Sequence, residues 1–350
     1  MGDKNMSASN APRTESQNRR DLPNMITCLL PAYNEAENLP HVVPETYNYL
    51  KQFCQEVEIL IVDDGSADNT VSVAQELANS YPISVVKLSR NFGKEIALSA
   101  GLDNARGDVV VIMDSDGQHP LPVIEQFIEH WRKGFDMVYG VRANRDDESF
   151  AKRAFTKVYY GLLNRISDVD IHPDAGDFRL LSRNVVNALV SLPERTRMMK
   201  GLYAWVGFKS KAVSFDVEER LSGTSTFRFR DLTSLAITGL TSFSSIPLKI
   251  WMVVGAAISA MSFGYGMLIL LKTLIFGTDV PGWPTLTVSI FFLGGIQLLS
   301  IGIMGDYLAR VFSEVKKRPL YIVEEYQKSV DKGADGNDVG DKFEDEKVEK

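Results

Sequence analysis

The chain has 350 residues, 45% of them hydrophobic and 24% charged, which is enough for one large or two ordinary domains with a sizeable core and excludes a chain disordered throughout. The formal charge is −7, but the last twenty residues hold eight acidic against four basic side chains, so −4 belongs to the tail and no nucleic-acid partner is suggested. The two cysteines, Cys28 and Cys54, form no Cys-x-x-Cys or Cys/His cluster, which argues for reduced thiols in a cytoplasmic compartment and against zinc or redox chemistry.

Residues 1–23 are polar and lack an apolar h-region, so they read as a disordered segment rather than a secretory signal. "MITCLLP" is the first strand and "AYNEAENLPHVVPETYNYLKQF" opens a helix. "EILIVDDGSADNT" is a second strand ending in Asp63 and Asp64, and "TVSVAQELANSY" a second helix. "ISVVKLS", "KEIALSAGLDNA" and "DVVVIMDSD" continue as strand, helix and strand. Strands alternating with helical segments imply βαβ crossovers and a mainly parallel, Rossmann-like α/β sheet.

In such sheets ligands bind outside the carboxyl ends of the strands. Three strand ends therefore converge on one crevice, bringing Pro31, Tyr33, Asn34 and Glu35, then Asp63, Asp64 and Ser66, then Asp114 and Asp116. The last two lie one residue apart at the tip of the apolar run Val109 to Met113. Like charges there call for a cation, and a few hard oxygen ligands suit Mg²⁺ or Mn²⁺ shared with a phosphate-bearing substrate. The same Asp-Ser-Asp-Gly also has the composition of a plain exposed turn. No Gly-x-Gly-x-x-Gly or P-loop follows the first strand, so a diphosphate would be handled by metal and carboxylates rather than cradled by backbone amides.

Late in the chain two uncharged runs, Trp251 to Leu271 and Trp283 to Gly305, each reach the length needed to cross a bilayer. Trp251, Trp283 and Tyr307 stand at their ends as interface anchors; Lys249, Arg310, Lys316, Lys317 and Arg318 flank them, and the loop from Gly277 to Gly282 has no basic residue. The expectation is a multi-pass protein of the inner, cytoplasmic membrane, with catalytic domain and both termini cytoplasmic. Its expected parts are a catalytic domain at 24–230, a juxtamembrane helix at 231–249, two spanning helices within 250–310, a cytoplasmic segment at 311–330 and a disordered acidic tail at 331–350.

"PAYNEAENL", "VDDGS" and "DSDGQHP", in that order, resemble the family 2 glycosyltransferases, which have a GT-A fold. "LSRNFGKEIALSAG", "GDFRLLSR", "PERTRMMKGLYAWVGF" and "FLGGIQLLSIGIMGDYLARV" narrow the resemblance to bacterial polyprenyl-phosphate glycosyltransferases, relatives of dolichyl-phosphate mannose synthase, over about Met25 to Val323. The GtrB type, which uses UDP-glucose, is the nearest pattern. The resemblance implies inverting, metal-dependent transfer of one sugar from a UDP-sugar to the phosphate of undecaprenyl or a similar polyprenyl lipid. UDP-N-acetylglucosamine, UDP-galactose or GDP-mannose remain alternative donors, and a noncatalytic membrane subunit that binds nucleotide sugars is the alternative of another class.

Carried over by motif, Pro31, Tyr33, Glu35 and Asp63 line the uridine and ribose pocket with Asp64 beside them. Asp114 and Asp116 are the metal motif, and Gln118 lies near the sugar or phosphate. The family often has "DADLQ" where this chain has "DSDGQ", which keeps both carboxylates and the glutamine. The acceptor is itself an anion, and Arg142, followed by Arg153, is the first choice to receive its phosphate. Asp177, in "DAGDFRL", matches a carboxylate near the acceptor, and its role as base or as phosphate-orienting residue is open. Arg179 is expected to hold that loop by ion pairing, and a donor-phosphate role for it is also open.

Arg220, Ser225 and Arg228 belong either to a lid over the diphosphate or to an ordinary basic loop. The segment from Phe150 to Ile166 is either an interfacial helix on anionic lipid or a packed surface helix. His119 is placed to touch substrate. A homo-oligomer is left open.

Overall fold

The computed structural model describes residues 19–142, 175–195, 197–216 and 282–329, with isolated helical positions between 257 and 275. Arg153, Arg220, Ser225 and Arg228, the interfacial candidate from Phe150 to Ile166, the juxtamembrane stretch 231–249, most of the first apolar run and the acidic tail lie outside the described residues.

Eight strands form one sheet in the order β7-β5-β6-β4-β1-β2-β3-β8. Its centre is parallel throughout: β1 (Met25–Ala32), β2 (Glu56–Asp63), β3 (Ile83–Leu88) and β4 (Val109–Ile112). These are the short, continuous apolar runs of the sequence, and they are apolar on both faces because helices cover both. Ile26, Cys28 and Leu30 of β1 enter one core, which α1 (Leu39–Leu50), α2 (Thr70–Leu77) and α4 (Pro122–Arg132) close. Leu29 enters the other, beneath α3 (Lys94–Asn104), α5 (Arg183–Val190) and α6 (Met199–Trp205). The helix α3 lies close against β1, since a Cβ on Gly101 would stand 2.1 Å from Leu29 Cδ1.

The sheet is mixed at its flanks. The strand β6 (Ala175–Ser182) runs antiparallel to both β4 and β5 (Met137–Arg142), while β7 (Ser210–Phe215) is parallel to β5. Reversing β6 turns its amino-terminal end towards the carboxyl end of β4. Val109 pairs with Ser182 and Ile112 with Arg179, which brings Asp177, two residues before Arg179, to the end of the sheet where β4 leads into Asp114.

The second apolar run is part of one long helix, α7 (Trp283–Val315), of 33 residues and about 50 Å. Its stretch Phe292–Val315 is long and apolar enough to cross a membrane by length and composition, and none of its apolar window is buried. Beyond it the chain returns to the same sheet, where β8 (Val323–Gln327) pairs antiparallel with β3. The segment expected as a separate part at 311–330 thus contributes the sheet's last strand. Around this junction Lys87 and Glu324 pair at 3.0 Å, the Tyr321 hydroxyl donates to Asp103 at 2.7 Å, and the Arg195 N–H donates to Glu314 at 2.9 Å.

Candidate active site

The crevice forms at the carboxyl ends of β1, β2 and β4, where the loops are tied to one another before any ligand is considered. Asn34, at φ 57°, accepts from the Ala67 N–H through its side chain at 2.9 Å, and its own N–H donates to the Ser66 hydroxyl at 2.9 Å. The Glu35 N–H donates to the Thr70 hydroxyl at 2.9 Å. These bonds hold residues 33–38 as a loop, so α1 starts only at Leu39, with Pro40 in its first turn where a missing N–H costs nothing. Tyr33 is 48% exposed on this loop. The Ser115 hydroxyl donates to the Pro31 carbonyl at 2.8 Å, tying the end of β4 to the end of β1.

Asp63 is fully buried; one oxygen accepts from the Ser66 N–H at 3.2 Å, and the other has no hydrogen-bond partner among the described residues. An unmatched buried carboxylate oxygen at a strand end is a place for a ligand donor. Asp64, at the same strand end, also has a role within the fold. Its two oxygens accept from the Phe92 and Gly93 N–H groups at 2.7 and 2.9 Å, fixing the turn that leads into α3. Burial raises its carboxyl above the ordinary range, and those two donors pull it back. Gly65, at φ +67°, is required beside it, since a Cβ there would lie 2.4 Å from the Arg90 carbonyl carbon.

The loop after β4 carries the paired carboxylates. Asp116 accepts from the Gln118 N–H at 3.1 Å across Gly117, which has φ 74°. His119, expected near substrate, is buried beneath this loop. It stacks on Phe178 with centroids 4.4 Å apart, and its Nδ1 accepts the Asp114 N–H at 3.1 Å. Burial lowers its pKa, with Asp114 and Asp116 opposing, so the neutral ring serves as a prop for the motif.

Three residues from three elements meet at the centre. Lys94 opens α3, and its ammonium lies 2.5 Å from Asp114 Oδ1 and 2.9 Å from Asp177 Oδ2. Partial desolvation in the crevice disfavours its charge, although the side chain stays 43% exposed, and Asp177 and Asp114 outweigh that and hold it protonated. Burial would likewise raise the Asp177 carboxyl; Lys94, Lys200 and Arg179 overturn that and keep it well below the usual carboxylate range. Next to them Glu95 accepts the Met199 N–H at 2.8 Å. Burial, then the charge of Asp177, raises its carboxyl to about 7.

Among the described residues Arg179 makes no ion pair within 4.0 Å. It is buried, with its guanidinium 3.6 Å from the Tyr203 ring centroid and one nitrogen donating to the Gly176 carbonyl at 2.5 Å. Arg142 ends β5 with an exposed side chain, and its charge is felt at His119.

Sequence reasoning quoted Lys94 within a motif and gave it no role. Only the antiparallel register of β6 and the placement of α3 bring it between two carboxylates distant in sequence. Among the described residues no cluster of three or more His, Cys, Asp or Glu could hold a metal by itself. The donor set at β4 is two carboxylates, which fits Mg²⁺ or Mn²⁺ completed by substrate phosphates.

Residues 27–190 match the family model described as glycosyl transferase family 2. The chain is 45% identical over 302 residues to an uncharacterized glycosyltransferase of Synechocystis sp., covering 85% of this chain and 94% of that protein. It is 43% identical over 304 residues to the prophage bactoprenol glucosyl transferase homolog of Escherichia coli K12, covering 87% and 99%. To the bactoprenol glucosyl transferase of Shigella phage SfII it is 44% identical over 303 residues, covering 85% and 97%. Among solved structures, glucosyl-3-phosphoglycerate synthase from Mycobacterium tuberculosis aligns with 62% of this chain and 76% of its own at 20% identity and a TM-score of 0.44. The chain, with its GT-A-like α/β sheet and relatives alike over nearly their whole length, belongs to glycosyl transferase family 2.

Proposed function

We propose that this glycosyltransferase moves one glucose from UDP-glucose to the phosphate of undecaprenyl or a similar polyprenyl phosphate, at the cytoplasmic face of the membrane and with inversion. The observation that carries the reading is the 43% identity to a bactoprenol glucosyl transferase homolog across 99% of that protein. The crevice is chemically suited to the reaction. Asp63, with one unmatched buried oxygen, and the loop of Pro31, Tyr33 and Glu35 form the nucleoside side. Asp114 and Asp116 would hold Mg²⁺ or Mn²⁺, and Gln118 faces the sugar or its phosphate. Once bound, the ion supplies positive charge for the diphosphate leaving group.

An oxygen of the lipid phosphate attacks the anomeric carbon as the bond to UDP breaks. That phosphate has a second pKa near ~6 and is largely dianionic at neutral pH, so it needs no strong base. Asp177, held ionised by its cationic neighbours, is a poor base and a good anchor. We assign it to positioning. Arg142, at the open end of β5, receives the acceptor phosphate, with Arg153 as its second.

The membrane arrangement follows the same reading. The catalytic sheet contains β8, so the carboxyl end of α7 lies on the catalytic side. If α7 spans the bilayer, Gly282 is on the far side, and residues 217–281 must cross an odd number of times. One crossing at Trp251 to Leu271 meets that condition. The described positions there include Met261, Tyr265 and Leu268, each at least 60% exposed, apolar side chains at helical spacing that a bilayer would cover. The domain limits at 24–230, 231–249 and 250–310 are proposed on this basis, with β8 added to the catalytic unit.

The test is purified protein incubated with undecaprenyl phosphate, a divalent cation and, separately, UDP-glucose, UDP-N-acetylglucosamine, UDP-galactose and GDP-mannose. Mass spectrometry of the extracted lipid should show a hexose gain with UDP-glucose, and anomeric coupling should report a β linkage. Gain only with another donor would replace glucose, and no gain with any would favour a binding subunit. Asp116→Asn should reduce transfer by at least about 10³-fold with a folded protein, measured as initial rate.

A further inference from the structure

The β4/β6 ladder ends at Ile112 opposite Arg179, and just past it the carboxylates of Asp114 and Asp177 both lie within 2.9 Å of one ammonium, close enough that the like charges would repel without a cation between them. What stands between them is one ammonium, Lys94, within 2.5 Å of one and 2.9 Å of the other. Its backbone is fixed, because Asp64 holds the N–H groups of Phe92 and Gly93 immediately before it. Its side chain is less confined, being 43% exposed where that of Asp177 is 17% exposed. A divalent ion arriving at Asp114 would meet this ammonium on the same carboxylate, and two cations there repel unless an anion joins them.

We propose that Lys94 is a tethered placeholder cation: it neutralises the Asp114–Asp177 pair before ligands bind and transfers to a substrate phosphate when metal and nucleotide diphosphate enter. Metal and donor then bind cooperatively, each weak alone. The proposal rests on the reading that Asp114 and Asp116 hold the ion. It adds that the protein carries a built-in competitor for the metal, so a free divalent ion is poorly retained without nucleotide. By linkage the coupling is reciprocal, and the metal must strengthen nucleotide binding by the same factor.

The experiment is Mn²⁺ titration of the purified full-length protein, with free Mn²⁺ read by electron paramagnetic resonance, with and without UDP. Wild type should bind Mn²⁺ weakly alone and about tenfold or more tighter with UDP, within the usual range of coupling. Lys94→Met should bind Mn²⁺ alone about tenfold tighter than wild type and show a reduced UDP effect, while Lys94→Arg, which keeps the cation, should stay near wild type. If Lys94→Met does not fold, the double variant Lys94→Met/Asp177→Asn relieves the charge pair and is compared with Asp177→Asn alone for the same gain. Unaltered Mn²⁺ affinity or an undiminished UDP effect on removing the lysine, in a wild type that binds Mn²⁺, overturns the placeholder role alone. No Mn²⁺ binding by wild type even with UDP overturns the metal reading, and this inference with it.

Discussion

At the scale of single residues, the charged centre makes two opposite statements about carboxyl groups. Asp177 is held ionised, so Asp177→Asn should lower the turnover number by about 10²-fold through misplaced reactants, with the same deficit at every pH from 6.5 to 9. Recovery as pH rises would instead make Asp177 a base. Glu95 goes the other way, raised from 4.5 to about 7. Between those values the folded protein binds a proton that the unfolded chain has released, so stability tied to Glu95 falls as pH rises through the interval. Glu95→Gln keeps an acceptor for the Met199 N–H and removes the buried charge. Its melting temperature should match wild type near pH 4.5 and exceed it increasingly up to pH 8, by the equivalent of about 2 kcal/mol. A constant difference across pH would refute the assignment. The carboxylates at the strand tips were legible in sequence because they interrupt apolar runs. The partnership of Lys94 with Asp114 and Asp177 was not, because its three members come from α3, the β4 loop and β6 and meet only through register.

Elements show the same division between local and nonlocal signals. The four parallel strands and the crossover helices follow from apolar runs and periodicity, each readable within a short window. Where α1 begins was misplaced by several residues, since residues 33–38 turn instead and are held by Ser66, Asp68 and Thr70 of the next loop. The entry to α3 depends on Asp64 in the same way. Asp64→Ala removes the acceptor of two backbone N–H groups and should cost about 2–4 kcal/mol in denaturant melts. It should also lower transfer, since Lys94 follows directly on the released turn; full activity with a normal melt would deny that Asp64 sets the position of α3.

For the whole molecule, topology follows from one strand. On the proposed two-crossing arrangement, with β8 in the catalytic sheet, the connection from Gly277 to Gly282 would lie across the bilayer from the site. Thr278→Cys should then react with a membrane-impermeant maleimide in intact cells, while a cysteine in place of Ser329 should react only after lysis. Labelling of both from outside would cancel the two-crossing arrangement. Sequence alone offered two long apolar runs and their flanking charges, from which two spans were expected. It did not show that the chain returns, because β8 pairs with a strand more than two hundred residues earlier and its own "VEEYQ" has no apolar alternation to signal a partner. That return also sets an order on biosynthesis. At about 5–20 residues per second, the ribosome emits β3 well before β8, so the nascent domain waits with the β3 edge open while the apolar segments are delivered to the membrane. An open edge invites pairing with other chains, so slowed insertion should send the newborn protein to aggregation or to chaperones before any activity is lost, and fragments ending ahead of β8 should inherit that sticky edge permanently.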